Sequence, residues 1–319
     1  MPTLTDPAVI KELLQRHGFS FSHALGQNFI INPGICPRMA ELGGAAPGVG
    51  VLEIGPGFGV LTAELCRRAE KVVSIELDDR LPPILAETLA EFRNVTIVPG
   101  DAMELDLAAL IREHFAGMPV VVCANLPYYI TSPIIMRLLE QPLPIRALTV
   151  MVQKEAAVRI TAAPGTRECG AISAAVWYYS TPQMLFSVSR GSFLPAPAVN
   201  SAVIRLDLPE ELPPDTPPKE DFFRVVRAGF GQRRKTLLNA LSAGLCMEKD
   251  GVRQLLAAAA LWQGLTVRKY VLETDKLTAP VRLALLSDFP GAQYIIRVLT
   301  YGDGGDALIG RDREFADWL

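Results

Sequence analysis

The run Asn125-Leu126-Pro127-Tyr128 places two hydrogen-bond acceptors and an aromatic face within four residues. A flat base with an exocyclic amine carries the complementary groups, two N–H donors and a π-face. Asn125 can accept one N–H through its side-chain oxygen, and the Leu126 carbonyl can accept the other. Pro127 stiffens the turn and helps aim that carbonyl. Tyr128 offers a ring against which an unstacked base can lie. An amine held at both hydrogens is favoured in a pyramidal form, with its lone pair directed at an electrophile. That is catalysis by positioning and electrostatics, with no obligatory general base. Read alone, the same four residues also describe an ordinary strand-to-helix turn with an N-cap Asn and a packed Tyr.

The neighbouring elements decide what the turn can meet. Val120 to Ala124 is an apolar run that reads as a buried strand. Ile130-Thr131-Ser132-Pro133 predicts a helix start with Pro133 in its first position. The turn then lies in the crevice at a strand's carboxyl end, where open α/β sheets bind ligands. Upstream, Val49 to Ile54 reads as a strand and runs into Glu53-Ile54-Gly55-Pro56-Gly57-Phe58-Gly59, ahead of a helical pattern from Leu61 to Ala69. Such a turn brings backbone close to a ligand. Its G-x-G-x-G spacing is not the G-x-G-x-x-G of dinucleotide folds. Glu53 would repel a pyrophosphate there, whereas a cationic sulfonium cofactor with an amino-acid tail would tolerate it. The strand Val72 to Ile75 ends on Glu76, 21 residues beyond Gly55. An acid at that distance takes both hydroxyls of an adenosine ribose, or else is a solvated loop acid. Asp78 and Asp79 read as helix N-caps. After the strand Val95 to Val98, Asp101 can accept from an adenine amine or cap the next turn, while Glu104 and Asp106 read as exposed. The segment from Ala24 to Pro33 lacks a clean helix or strand period and reads as a connector or as a flap whose Gln27 and Asn28 reach a ligand. Agreement among successive strand ends carries more than any one motif.

Elsewhere, residues 7–17 predict a short helix ending at Gly18. Leu148 to Gln153 predicts a strand, Glu155 to Thr161 a helix, and Ile172 to Tyr179 a helix in which Trp177 and Tyr178 belong to the core. Met184 to Val188 and Val199 to Leu206 read as paired strands, with Phe193 between them in a loop stiffened by Pro195 and Pro197. Five prolines in residues 208–218 deny that stretch a helix or central strand and make it a linker. It divides a domain of residues 1–207 from one of residues 219–319. Residues 222–247 carry Arg224, Arg227, Arg233, Arg234 and Lys235 and no acid, a local basic patch suited to phosphate contacts. The net charge of −3 conceals it.

Of the 319 residues half are apolar, an ordinary globular balance, and no run approaches the length of a membrane span. The first sixteen residues are amphipathic, with charges interspersed, and do not read as a secretory signal. Five scattered cysteines argue for a reducing, cytoplasmic setting and against a zinc site or a disulfide framework.

The motifs taken together resemble the ribosomal RNA adenine dimethyltransferase family. Leu25-Gly26-Gln27-Asn28-Phe29, Leu52-Glu53-Ile54-Gly55-Pro56-Gly57, Ile75-Glu76-Leu77-Asp78, Gly100-Asp101-Ala102 and Asn125-Leu126-Pro127-Tyr128 occur in family order. Gln153-Lys154-Glu155, Gly191 to Pro197, Val199 to Val203 and Phe230 to Leu237 continue the likeness, which covers roughly residues 20 to 245 and fades past about residue 256. The resemblance implies a Rossmann-like, class I S-adenosylmethionine-dependent α/β methyltransferase domain with a smaller, mainly helical RNA-binding domain. It implies that Asn28, Ile30, Gly55, Glu76, Asp101 and Asn125 contact S-adenosylmethionine. Gln27, Glu53, Gly57, Leu77 and Ala102 complete the expected cofactor set. It gives Phe193 a catalytic place beside Asn125, Leu126, Pro127 and Tyr128, stacked on the target base; the plainer alternative is a buried loop aromatic. The expected substrate is 16S rRNA in a small-subunit (30S) assembly intermediate, methylated at N6 of two adjacent adenosines by a monomer, with no metal and no membrane. A large-subunit 23S enzyme of the macrolide-resistance type shares most motifs, but the Leu-Gly-Gln-Asn-Phe and Asn-Leu-Pro-Tyr forms favour the small subunit. A non-catalytic nucleic-acid-binding factor is opposed by the intact methyl-transfer residues. A nicotinamide-dependent oxidoreductase is opposed by the glycine spacing and by missing proton-relay residues.

Overall fold

In the computed structural model, residues 4–21, 26–164, 166–214, 216–232 and 235–258 are described. Leu25, Arg233, Arg234 and the tail from residue 259, where Tyr294 to Leu299 reads from the sequence as a strand and Gly302 to Gly305 as a turn, lie outside them.

The chain opens with α1 (Pro7–Arg16), where Asp6 caps the helix by accepting from the Ala8 N–H at 2.8 Å. Then follow β1 (Phe29–Ile30), α2 (Ile35–Leu42), β2 (Gly50–Ile54), α3 (Val60–Cys66), β3 (Lys71–Glu76), α4 (Pro82–Thr88), β4 (Val95–Pro99), α5 (Leu107–Phe115) and β5 (Val120–Asn125). A 3-10 turn, Tyr128–Ile130, leads into α6 (Thr131–Glu140). Next come β6 (Ile145–Gln153), α7 (Lys154–Ile160), α8 (Ala171–Tyr179), β7 (Thr181–Val188), β8 (Phe193–Leu194), β9 (Ser201–Asp207), α9 (Lys219–Gly231), α10 (Leu237–Leu245) and α11 (Lys249–Ala258).

Seven strands form one sheet in the order β4-β3-β2-β5-β6-β9-β7. The first five pair in parallel, and β9 runs antiparallel to both β6 and β7. This matches the expected parallel sheet with an antiparallel end. The chain winds outward from β2 to β4, then returns to place β5 on the other side of β2. The carboxyl ends of β2 and β5 thus flank the crevice at the switch point, where doubly wound sheets bind ligands. One apolar cluster packs Met39, Leu65, Val51, Val121, Cys123 and Val203. A second packs Ile10, Phe29, Phe58, Leu81 and Ile84.

Two compact units emerge, and neither is a single stretch of chain. Among the described residues, those within 1–157 and 180–210 make one, and those within 158–179 and 211–258 make the other. The expected division at the proline-rich linker omits α8. Within the second unit Tyr178, 9% exposed, donates its hydroxyl to the Pro217 carbonyl at 2.8 Å and packs against Phe222. The end of the linker is therefore tied down.

Three local expectations differ. Pro133 falls in the third position of α6, because the 3-10 turn precedes the helix. The N-cap of α4 is Leu81, without a side-chain cap, so neither Asp78 nor Asp79 caps it. Phe29 and Ile30, placed in an irregular connector, pair antiparallel with Leu194 and Phe193. A two-residue strand has too little length to show a period.

Candidate active site

Four strand ends and the segment around β1 converge on one cleft in the first unit. Its space is about 1040 Å³, open solvent at the mouth included. Gln27, Asn28, Ile30, Gly55, Gly57, Glu76, Leu77, Asp101, Ala102, Asn125, Leu126, Pro127 and Tyr128 all line it.

The floor is the glycine turn. Gly55 and Gly57 sit at φ +72° and +59°, a region costly for other L-residues. A Cβ on Gly57 would stand 2.9 Å from the Phe29 ring, which stacks on Phe58 at 3.9 Å. The turn is thereby clamped while its backbone faces the cleft. Glu76, 7% exposed, accepts from the Gly57 N–H at 3.4 Å and from the Asp78 N–H at 2.8 Å. Burial raises its pKa. Asp101 Oδ1 accepts from the Met103 N–H at 2.7 Å, so this acid both caps a turn and lines the cleft. Leu77 is 49% exposed at the rim. These donors, acceptors and apolar faces fit an adenosine with a charged amino-acid tail, and no phosphate cradle is needed.

At the end of β5, Asn125 Nδ2 donates to the Asn28 carbonyl at 3.3 Å. That bond settles which way the amide points and leaves Oδ1 as its acceptor for a ligand. Asn28 in turn donates its Nδ2 to the Gly26 carbonyl at 2.9 Å. The Leu126 N–H donates to the Met151 carbonyl at 3.2 Å, and Pro127 holds φ at −57° and ψ at 135°. The Leu126 carbonyl is thus anchored on one side by the sheet and on the other by the ring. Tyr128 is half-buried, with its hydroxyl 2.7 Å from Ser201 Oγ on β9. Burial raises its pKa.

Two expected residues do not reach the cleft. Glu53 is 0% exposed. Strand alternation puts it on the same face as Val51, while Ile54 points into the cleft. Ser74, its register partner on β3, donates to Glu53 Oε2 at 2.6 Å. Burial, opposed by the hydroxyls of Ser74 and Thr62, pushes Glu53 up to about 7. The expectation that it faces the cofactor is corrected, and with it the argument from repulsion of a pyrophosphate. Phe193 is 2% exposed, inside the apolar cluster with Ile30 and Met39. Its backbone pairs with Ile30, so it supports a cleft residue from behind instead of offering a stacking face.

Other residues of the site were not anticipated. Tyr129, 48% exposed, lines the rim, and its ring packs beside Gly26. Phe19, Phe29 and Phe58 form an aromatic cluster beneath the glycine turn. Their spacing in the sequence, scattered over three segments, gives no periodic signal.

Of the basic residues, Arg224, Arg227 and Lys235 are exposed. Arg224 Nη2 lies 3.4 Å from Asp221 Oδ1, an exposed pair of little energetic weight.

A sheet of this order, with an antiparallel edge and its cleft at the switch point, is the class I S-adenosylmethionine-dependent methyltransferase fold. Two solved structures share it. A 23S rRNA methyltransferase, ErmE, is 26% identical with a TM-score of 0.61, over 85% of this chain and 99% of that one. A dimethyladenosine transferase from Plasmodium falciparum is 24% identical with a TM-score of 0.60, over 85% and 96%. The family model for ribosomal RNA adenine dimethylase matches residues 18–276, so the chain belongs to that family. It is an S-adenosylmethionine-dependent rRNA adenine methyltransferase. Relatives of the same kind include the ribosomal RNA small subunit methyltransferase A of Alkaliphilus oremlandii, 45% identical over 85% of this chain and 96% of the relative. That of Geobacillus thermodenitrificans is 48% identical over 79% and 86%. Among the described residues no helix is long and apolar enough to cross a membrane.

Proposed function

We propose that this chain dimethylates N6 of two adjacent adenosines in a loop of 16S rRNA, acting as a cytoplasmic monomer on a small-subunit assembly intermediate. The small-subunit relatives at 45% and 48% identity support that choice of RNA over the large subunit. The observation that carries the chemistry is the Asn125 amide at the end of β5, whose bond to the Asn28 carbonyl leaves Oδ1 to accept from a ligand in the cleft that Leu126 also lines.

Bound S-adenosylmethionine supplies an electrophilic methyl group on a sulfonium. On this reading Gly55 and Gly57 give its tail close backbone approach, Glu76 takes the ribose hydroxyls, and Asp101 accepts from the adenine amine. Gln27, Asn28, Ile30, Leu77 and Ala102 close the walls. Asn125 Oδ1 and the Leu126 carbonyl hold the two hydrogens of the target N6 and turn its lone pair out of the ring. Tyr128, anchored at its hydroxyl, presents a ring face that offsets the cost of unstacking the base. Glu53, whose pKa of about 7 would suit a general base, is sealed from the cleft and takes no part in moving the proton. Arg224, Arg227, Arg233, Arg234 and Lys235 contact RNA phosphates.

The test supplies labelled cofactor with each unmodified ribosomal subunit and maps the modified base. Doubly methylated N6 on adjacent adenosines of the small subunit is the expected result. Label confined to the large subunit would overturn the choice of RNA.

A further inference from the structure

Beside the cleft, Asp78 and Arg80 centre a polar network, and no step above employs either of them. Asp78 is 5% exposed, and its two carboxylate oxygens receive four donors. Arg80 gives Nε to Oδ1 at 2.8 Å, Nη2 to Oδ2 at 2.6 Å and its backbone N–H to Oδ1 at 3.1 Å. Gln27 gives Nε2 to Oδ2 at 2.7 Å. The Asp78 backbone N–H goes to Glu76 Oε1 at 2.8 Å. One residue thus touches two members of the cleft wall, Gln27 through its carboxylate and Glu76 through its backbone. Arg80 fastens the same assembly from outside. Its guanidinium lies 4.6 Å from the centre of the Phe19 ring, and Nη1 reaches the Ser20 carbonyl at 3.4 Å. Phe19 meets both Phe58 of the glycine turn and Phe29 of β1 edge to face.

We infer that Asp78 and Arg80 are a positioning pair that orients Gln27 and Glu76 for the cofactor and sets its affinity without touching the methyl-transfer centre. The inference rests on the proposed reading of the cleft and deepens it. Asparagine cannot replace the carboxylate, since it offers one acceptor oxygen where four donors converge, and its own N–H groups would face Gln27 Nε2 or the guanidinium. A bidentate guanidinium pair is likewise not reproduced by lysine, though lysine keeps the charge.

The experiment compares Asp78→Asn, Arg80→Ala, Arg80→Lys and Glu76→Gln with the unaltered protein. It measures S-adenosylhomocysteine affinity by calorimetry, the KM for S-adenosylmethionine, kcat on unmodified small subunits, and thermal unfolding. Asp78→Asn and Arg80→Ala should raise Kd and KM together by about tenfold or more, with kcat at saturating cofactor within a few-fold. Arg80→Lys should recover part of the loss. A fall in kcat with KM unchanged would overturn the inference, as would unchanged affinity in the folded variants. Glu76→Gln separates the two levels of argument. If it also leaves affinity unchanged, the reading of the cleft fails. If it weakens binding while the other substitutions do not, only the positioning role fails. Should Asp78→Asn not fold, Arg80→Ala decides, since that side chain is 44% exposed and its loss opens no core cavity.

Discussion

Replacing Asn125 by Ala deletes Oδ1 and frees the Asn28 carbonyl, while the glycine turn and Glu76 stay as they are. Methyl transfer should fall by about 10²-fold or more, the scale for loss of one oriented catalytic dipole, and cofactor affinity should change far less. Labelled-methyl assays beside equilibrium binding measure both, and undiminished turnover would remove Asn125 from the chemistry. Glu53 calls for a different measurement. Its pKa rises from 4.5 to about 7 on folding. Below about 4.5 the carboxyl is protonated in both states. Between there and about 7 the unfolded chain releases the proton and the folded chain keeps it, so stability falls as pH rises through that window and levels off above it. Glu53→Gln should remove this fall, on the order of 3 kcal/mol, and leave the variant more stable than the parent at pH 8 by denaturant unfolding. Both residues stand out in the sequence, yet only one could be placed from it. Asn125 ends its strand, and its surroundings follow from the turn. Glu53 lies within a strand, where the side of the sheet it faces depends on a register that the sequence leaves open.

The glycine turn between β2 and α3 is the element on which the cleft depends. Gly57→Ala would put a Cβ 2.9 Å from the Phe29 ring at φ +59°. The ring cannot yield freely, because it stacks on Phe58 at 3.9 Å. The expected cost is about 2 kcal/mol in stability, with a raised KM for cofactor, read by thermal unfolding and steady-state kinetics. A variant of parental stability and KM would mean that the turn is softer than this packing indicates. The parallel strands and their ends were legible because each is a mainly apolar run, buried in β2, β3, β5 and β6 and half-buried in β4, with Gly, Asp, Glu, Asn or Gln at or just past its end. The β1–β8 pair was not, and Phe193 was misplaced with it. Its partner Ile30 is 163 residues away, and two-residue strands leave no alternation to read. The prolines of residues 208–218 deny that stretch a helix or strand, but α8 was assigned by chain order, although it packs against α9.

For the molecule as a whole the net charge is −3, so its long-range field does not draw in an RNA of like sign. Binding must then come from local cations, and the exposed face of α9 supplies two of them. Glu220, Arg224, Arg227 and Gly231 are exposed there, while Phe222, Phe223, Val225 and Val226 are buried, an i, i+4, i+7, i+11 stripe turned to solvent. Asp221 screens Arg224 only weakly, since both side chains are about half exposed. If each arginine neutralises one phosphate, Arg224→Ala with Arg227→Ala should reduce the slope of log affinity against log salt by about 2. RNA affinity should fall by a similar factor for unrelated sequences, because phosphate contacts carry no base information. Cofactor affinity should be unchanged, since neither residue lines the cleft. Filter binding of small-subunit RNA over a range of salt, with calorimetry of S-adenosylhomocysteine, reads both quantities. An unaltered salt slope would move the phosphate contacts off α9 and leave the methyl-transfer site as it stands.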